Sequence, residues 1–121
     1  MEETMQLPFR IEEQGFVYED RNQKVRKVQA FFEGFTKEYL VSDRGQRAAL
    51  MVVRDNRVLL ARQYRLLVNG ISLEIPGGKV DDGEDPCAAA VRECWEETGV
   101  RGMDPKLLVA FHPGLDISNN Y

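Results

Sequence analysis

The sequence has few cysteines, no long apolar run and no basic excess. The longest apolar run, residues 48–53, is far shorter than the ~20 residues that cross a bilayer. The first residues are acidic rather than apolar, so we expect neither a membrane span nor a secretory signal. Cys87 and Cys94 fall on a segment that predicts a helix, where their Cα atoms would be ~10 Å apart, too far for a disulfide. Two free thiols favour a reducing, cytoplasmic setting.

Net charge and histidine content argue against two functions, binding of a nucleic-acid duplex and catalysis by histidine. The 16 Lys and Arg residues against 20 Asp and Glu give a net charge of −4, which is unfavourable for binding a nucleic-acid duplex through its phosphates. His112 is the only histidine, and the sequence places no acid beside it, which favours a loop residue over a catalyst. With 121 residues, 43% hydrophobic and 30% charged, the chain fits one globular domain.

Residues 1–45 and 46–121 differ in aromatic content and in the arrangement of strand-like and helical segments. The first stretch is rich in aromatics, and its alternating segments 25–31 and 36–41 predict an antiparallel meander. The second contains further strand-like runs at 48–53, 58–61, 71–75 and 107–111, with a hairpin turn at Asp55-Asn56 and a breaker at Pro113-Gly114. One helix is predicted over 85–98, capped by Asp85 and Pro86 and ended by Gly99. This order indicates an α+β fold.

The predicted helix carries three carboxylates close together. On a helical wheel Glu93, Glu96 and Glu97 share one face, with Ala89 and Ala90 beneath them. The wheel assigns the buried face to Cys87, Val91, Cys94, Trp95 and Thr98. Like charges at these spacings cost a helix roughly 0.2–0.5 kcal/mol per pair, and Mg²⁺ would turn the repulsion into coordination. A solvated acidic face is the alternative interpretation.

The loop before the helix completes a known pattern. Residues 78–100 resemble the Nudix box, G-x5-E-x7-R-E-U-x-E-E-x-G-U, in which U is a bulky apolar residue. The fixed positions are filled by Gly78, Glu84, Arg92, Glu93, Glu96, Glu97, Gly99 and Val100. Cys94 stands where an aliphatic residue is usual. The chain is therefore similar to the Nudix hydrolases.

This resemblance implies a site that hydrolyses a nucleoside diphosphate linked to another group, with Mg²⁺ or Mn²⁺ as cofactor. Glu93 and Glu97 would be metal ligands, Glu96 a third ligand or a water-orienting acid, and the Gly77 carbonyl a further ligand. The resemblance places Arg92 in the catalytic set with the three glutamates. Arg92 and Glu84 would hold the loop against the helix. Gly78, Glu84 and Gly99 would be structural positions of the loop and helix.

Features outside the box resemble the ADP-ribose and nucleotide-sugar pyrophosphatase branch. They are the segment 62–65 before residues 73–78, the later Pro113-Gly114, and the aromatic N-terminal meander. The resemblance implies that Arg62 and Arg65 bind substrate, Arg65 through a phosphate, and that Glu74 contacts a ribose or a partner subunit. The alternative is that both arginines are edge-strand charges and the aromatics are core.

The resemblance also implies a fold and an assembly. The fold would be an α/β/α sandwich with a mixed sheet and N-terminal antiparallel strands. Because the sequence ends at Asn119-Asn120-Tyr121, we expect it to stop before a second helix and to leave one sheet face uncovered. We expect a homodimer in which residues 9–45 contact the partner.

Two other functions stay open: hydrolysis of nucleoside triphosphates or dinucleoside polyphosphates, and a non-catalytic nucleotide-binding or dimerisation module.

Overall fold

The computed structural model describes residues 6–114, which fall into two units, the first formed by the chain up to Arg44 with residues 111–114 and the second by Gly45–Ala110. The first unit is a three-stranded antiparallel meander in the order β1–β2–β3. Its strands are β1 Arg10–Glu19, β2 Lys24–Phe32 and β3 Phe35–Asp43. The meander predicted from residue alternation is therefore confirmed.

Local turn chemistry joins the strands of this meander. Between β1 and β2, the Asp20 carboxylate accepts hydrogen bonds from the backbone N–H groups of Asn22 at 2.7 Å and Gln23 at 2.8 Å. Between β2 and β3, the rings of Phe32 and Phe35 stack with their centroids 4.7 Å apart. Both connections are short, which fixes the antiparallel register of the three strands.

The described part of the second unit contains three strand pairs, one α-helix and a short 3₁₀-helix at Leu66–Val68. The strands are β4 Arg47–Ala49, β5 Val53–Arg54, β6 Arg57–Val58, β7 Ala61–Arg65, β8 Gly70–Glu74 and β9 Gly77–Lys79, and the helix is α1 Pro86–Thr98. β5–β6 and β7–β8 are local ribbons, whereas β4 pairs with the distant β9. Helix α1 packs against β4 and β9. The hairpin turn at Asp55 and Asn56 is present, with φ of 50° and 57°, the left-handed values that a type I′ turn requires.

The sheet and helix content fit an α+β fold. Within residues 6–114 every strand pair is antiparallel and α1 is the single α-helix. The parallel pairs of a mixed sheet and the second helical layer are therefore not seen in this part of the chain. Asn119–Tyr121, where we expected the sandwich to stop, lie outside the described residues. In the same described part, no helix is long and apolar enough to cross a membrane.

The strand predicted over residues 107–111 is wrong. This segment is irregular, and Leu107 is 78% exposed. A strand needs a neighbour to accept and donate its backbone hydrogen bonds. Residues 107–111 pair with none of the described strands, so their apolar side chains alone do not make them a strand.

The buried face predicted for the helix is confirmed in part, since Cys94 is buried and Cys87, Val91 and Thr98 are half-buried. Ala89 and Ala90, which we placed beneath the acids, are the residues that α1 buries together with Cys94. Trp95, which we assigned to the buried face, is 50% exposed, and the guanidinium of Arg101 lies 5.2 Å from its ring centroid. Small side chains let the helix approach the sheet closely, whereas a Trp would hold it away.

Candidate active site

Helix α1 begins and ends where the sequence predicts. The Asp85 carboxylate accepts a hydrogen bond from the Ala88 N–H at 3.0 Å, and Pro86 stands in the first turn. Gly99 follows the last turn with φ of 72°, and its N–H donates to the Trp95 carbonyl at 2.8 Å. These caps fix the helix so that its last two turns carry the glutamates of the box.

Two adjacent glycines let neighbouring groups lie directly on β9, the paired strand β4 at Gly77 and a side chain of α1 at Gly78. A Cβ on Gly77 would lie 2.4 Å from the Ala48 carbonyl oxygen, and a Cβ on Gly78 would lie 2.3 Å from the Glu93 carboxyl carbon. No real Cβ makes contacts so short, so Gly77, which faces backbone, requires glycine, whereas a larger residue at position 78 would have to move the Glu93 side chain. The Glu93 carboxylate therefore packs on the backbone of Gly78, where any other residue would displace it.

Arg92 connects the loop to the helix. Its Nε and Nη2 donate to the two carboxylate oxygens of Glu84, at 2.9 and 3.0 Å, and Nη2 also donates to the Lys79 carbonyl at 2.9 Å. Its Nη1 lies 3.0 Å from Glu93 Oε1 and 3.4 Å from Glu96 Oε2. A single guanidinium thus pairs with two acids of the helix and two of the loop, Asp81 at 3.7 Å and Glu84 in the two-pronged geometry that suits arginine.

These contacts shift the titration of the loop acid. The paired guanidinium of Arg92, followed by the backbone N–H of Asp81, lowers the pKa of Glu84 to about 2. The hydrogen bonds of Arg92 to Glu84, which contributes most, and to Glu93 raise the pKa of Arg92 above its ordinary value. Both groups are therefore charged throughout the physiological pH range.

Glu97 is held by other donors. Its Oε1 accepts a hydrogen bond from the Gln63 amide at 3.1 Å, and its Oε2 accepts one from the Gly77 N–H at 3.2 Å. Gln63 belongs to β7, and we did not select it from the sequence. The signal that could have identified it is strand alternation, which places Gln63 on the same face as Arg65.

The β7–β8 ribbon separates the residues predicted to bind substrate. Arg65 Nε donates to Glu74 Oε1 at 2.8 Å, and Arg65 Nη2 contacts Glu74 Oε2. This pairing raises the pKa of Arg65 and lowers that of Glu74. Arg62 is exposed, three residues from Arg65, and pairs in register with the exposed Leu73 on the other face of the ribbon. The structure therefore brings together Arg65 and Glu74 but not Arg62.

The acids do not form a closed metal cage in residues 6–114. No group of three His, Cys, Asp or Glu side chains in this range converges as a metal cluster. Arg92 contacts Glu93 and Glu96, while Glu97 turns to Gln63 and Gly77. The oxygens are nevertheless of the kind that Mg²⁺ prefers, and they lie on successive turns of one capped helix. The residue set fits a hydrated divalent cation.

Residues 44–119 match the family model of the NUDIX domain. This chain belongs to the Nudix family. The Nudix box thus occupies β9, the following loop and α1. The two predicted thiols, Cys87 and Cys94, are free, and Cys94, at the apolar box position, is buried.

Individual relatives extend this result. The chain is 34% identical over 76 residues to a methanol dehydrogenase activator of Bacillus methanolicus, covering 63% of this chain and 41% of that protein. It is 33% identical over 82 residues to an ADP-ribose pyrophosphatase of Bacillus subtilis, covering 66% and 44%. A solved ADP compounds hydrolase superposes with a TM-score of 0.60 at 27% identity, covering 82% of this chain and 54% of that one. The chain spans about half, or less, of the length of these relatives.

Proposed function

We propose that this Nudix chain hydrolyses the pyrophosphate bond of ADP-ribose or a related nucleoside diphosphate sugar, with Mg²⁺ as cofactor and Mn²⁺ as a substitute. The observation that carries the proposal is the placement of Glu93, Glu96 and Glu97 on the last turns of α1, with Arg92 joining two of them to Glu84. A purely structural helix gains nothing from three neighbouring acids near its C-terminus, because the helix dipole disfavours negative charge there.

The metal would be held by the carboxylates of Glu93, Glu96 and Glu97 together with the Gly77 carbonyl. When bound, a divalent cation neutralises charge on the pyrophosphate and lowers the pKa of a bound water. Arg92 is already committed to Glu84, Glu93 and Glu96, so its role is to position those acids rather than to bind substrate.

Substrate recognition is assigned to the β7–β8 ribbon. Arg65 would exchange part of its pairing with Glu74 for a substrate phosphate, and Glu74 would accept hydrogen bonds from a ribose. Arg62 would contact substrate only from the opposite face of this ribbon. The names of two relatives, an ADP-ribose pyrophosphatase and an ADP compounds hydrolase, support the choice of an ADP-linked substrate.

A substrate panel tests the proposal. ADP-ribose, an ADP-hexose, ATP and a diadenosine polyphosphate are each incubated with the chain and Mg²⁺, and products are separated by anion exchange. We expect AMP and ribose 5-phosphate from ADP-ribose at the highest rate. Faster release of pyrophosphate from ATP, or faster cleavage of the dinucleotide, would support the other hydrolase function. Tight binding without turnover would support a nucleotide-binding module.

A further inference from the structure

The three acids of the box are held by two different kinds of donor. Glu93 and Glu96 contact the cationic guanidinium of Arg92. Glu97 instead accepts from two neutral donors, the Gln63 amide at 3.1 Å and the Gly77 N–H at 3.2 Å. Among residues 6–114, the ion-pair partners of Arg92 are Asp81 and Glu84 in addition to Glu93 and Glu96, and they do not include Glu97.

This difference affects how each carboxylate meets a cation. A guanidinium partner opposes a metal ion because it carries positive charge itself. A neutral amide fixes the direction of a carboxylate without adding positive charge, and each carboxylate oxygen keeps a second lone pair free. Of the three box acids, Glu97 is therefore the one that no cation among the described residues contacts by a hydrogen bond or ion pair, although the Arg65 guanidinium interacts with it electrostatically without such a contact.

The position of Gln63 suits this purpose. It lies on the face of β7 that also carries the buried Ala61, and its own side chain is partly buried. The neighbouring Arg62 and Tyr64 are exposed on the opposite face. The amide therefore reaches Glu97 from a paired strand, whose backbone is fixed by its register with β8.

We propose that Gln63 is a positioning residue whose amide orients the Glu97 carboxylate toward a divalent cation. This inference rests on the proposed function, because it takes Glu97 as a metal ligand. Hydrogen-bonding partners of metal-binding carboxylates fix the direction of the ligand, and their loss typically weakens metal binding about 10- to 100-fold. Since the Gly77 N–H remains as a second donor, we expect the lower end of this range for Gln63.

The test is the Gln63→Met variant, which keeps the side-chain length and removes the N–H donor. Mn²⁺ binding to the ligand-free chain is measured by electron paramagnetic resonance, and the Mg²⁺ concentration for half-maximal ADP-ribose cleavage is measured separately. We expect the Kd for Mn²⁺ and the half-maximal Mg²⁺ concentration each to rise about 10-fold. We expect kcat at saturating Mg²⁺ to stay within about twofold of wild type. Gln23→Met is the matched control, since the Gln23 amide donates to Ser42 Oγ at 2.8 Å in the other unit.

Each outcome decides the inference. An unchanged Mn²⁺ Kd in Gln63→Met, including one accompanied by a lower Tm, would overturn it, because the hydrogen bond would then only join β7 to α1. Absence of Mn²⁺ binding in the wild-type chain would also overturn it. Weaker Mn²⁺ binding in Gln63→Met, in a chain that cleaves none of the panel substrates, would support the positioning role and contradict the proposed function.

Discussion

Glu97 is the single side chain on which the proposed chemistry depends most. It is exposed and makes two hydrogen bonds, to Gln63 and to the Gly77 backbone, so its charge is dispensable for folding. We expect Glu97→Gln to keep the wild-type Tm and to lower ADP-ribose turnover at limiting Mg²⁺ by roughly 100-fold. Initial rates across a Mg²⁺ series measure this loss. Glu38→Gln, which removes a charge paired with Lys27 in the meander, is the control and should retain activity.

The ion pair of Glu84 with Arg92 makes the unfolding free energy of the chain depend on pH. Its pKa in the folded chain is lowered to about 2 by Arg92, from an ordinary value of 4.5. A lowered folded-state pKa contributes stability that is fully present above the unfolded pKa and is lost as the pH falls through the folded pKa. We therefore expect the difference in unfolding free energy between wild type and Glu84→Gln to be largest above pH 5 and to shrink as the pH falls toward 2.

Urea unfolding at a series of pH values measures this difference. Acids that do not contact Arg92 titrate alike in both chains, so their contributions cancel in the comparison. A difference that stays constant from pH 6 to pH 3 would contradict the assignment of the Arg92–Glu84 pair as the cause.

At the level of secondary-structure elements, the contact between α1 and β9 is the tightest constraint. A methyl group on Gly78 would come within 2.3 Å of the Glu93 carboxyl group, so Gly78→Ala must displace either the helix or that side chain. We expect it to lower the unfolding free energy by roughly 1–3 kcal/mol and to weaken Mn²⁺ binding. The matched control is Gly70→Ala in β8, whose added methyl would lie 3.5 Å from the Val68 carbonyl, an ordinary contact. Equal stability of the two variants would contradict the close packing.

The elements that local sequence determines could be predicted. The helix bounds follow from Asp85, Pro86 and Gly99, because caps act on the backbone beside them. The hairpin at Asp55 and Asn56 follows from its turn residues in the same way. The resemblance of residues 78–100 to the Nudix box likewise comes from fixed spacing within one segment.

Features that depend on distant packing could not be predicted. The segment 107–111 has strand-like residues but pairs with no described strand. The face that α1 buries, which carries Ala89, Ala90 and Cys94 rather than Trp95, depends on how the helix packs against the distant strands β4 and β9. The contact of Gln63 with Glu97 joins residues 34 positions apart, and no local pattern specifies which residues of a ribbon and a helix meet.

For the chain as a whole, we propose that it forms a homodimer through residues 9–45. Large apolar side chains of the meander are exposed, including Phe9 at 73% and Ile11 at 64%, and exposed apolar area of this kind commonly marks an interface. Sedimentation at tens of micromolar should give a dimer, and Phe9→Ser combined with Ile11→Ser should shift it toward monomer. If the partner completes the substrate site, that variant should also lose activity. A wild-type monomer with full activity would contradict a shared site.

The measurement that tests the proposed function most directly is product formation from ADP-ribose with and without divalent cation. With Mg²⁺, the wild-type chain is expected to release AMP and ribose 5-phosphate in equal amounts, and excess EDTA is expected to abolish the reaction, because Glu93, Glu96 and Glu97 act through the metal. Absence of AMP in the presence of Mg²⁺, or AMP release that persists unchanged in EDTA, would contradict the account.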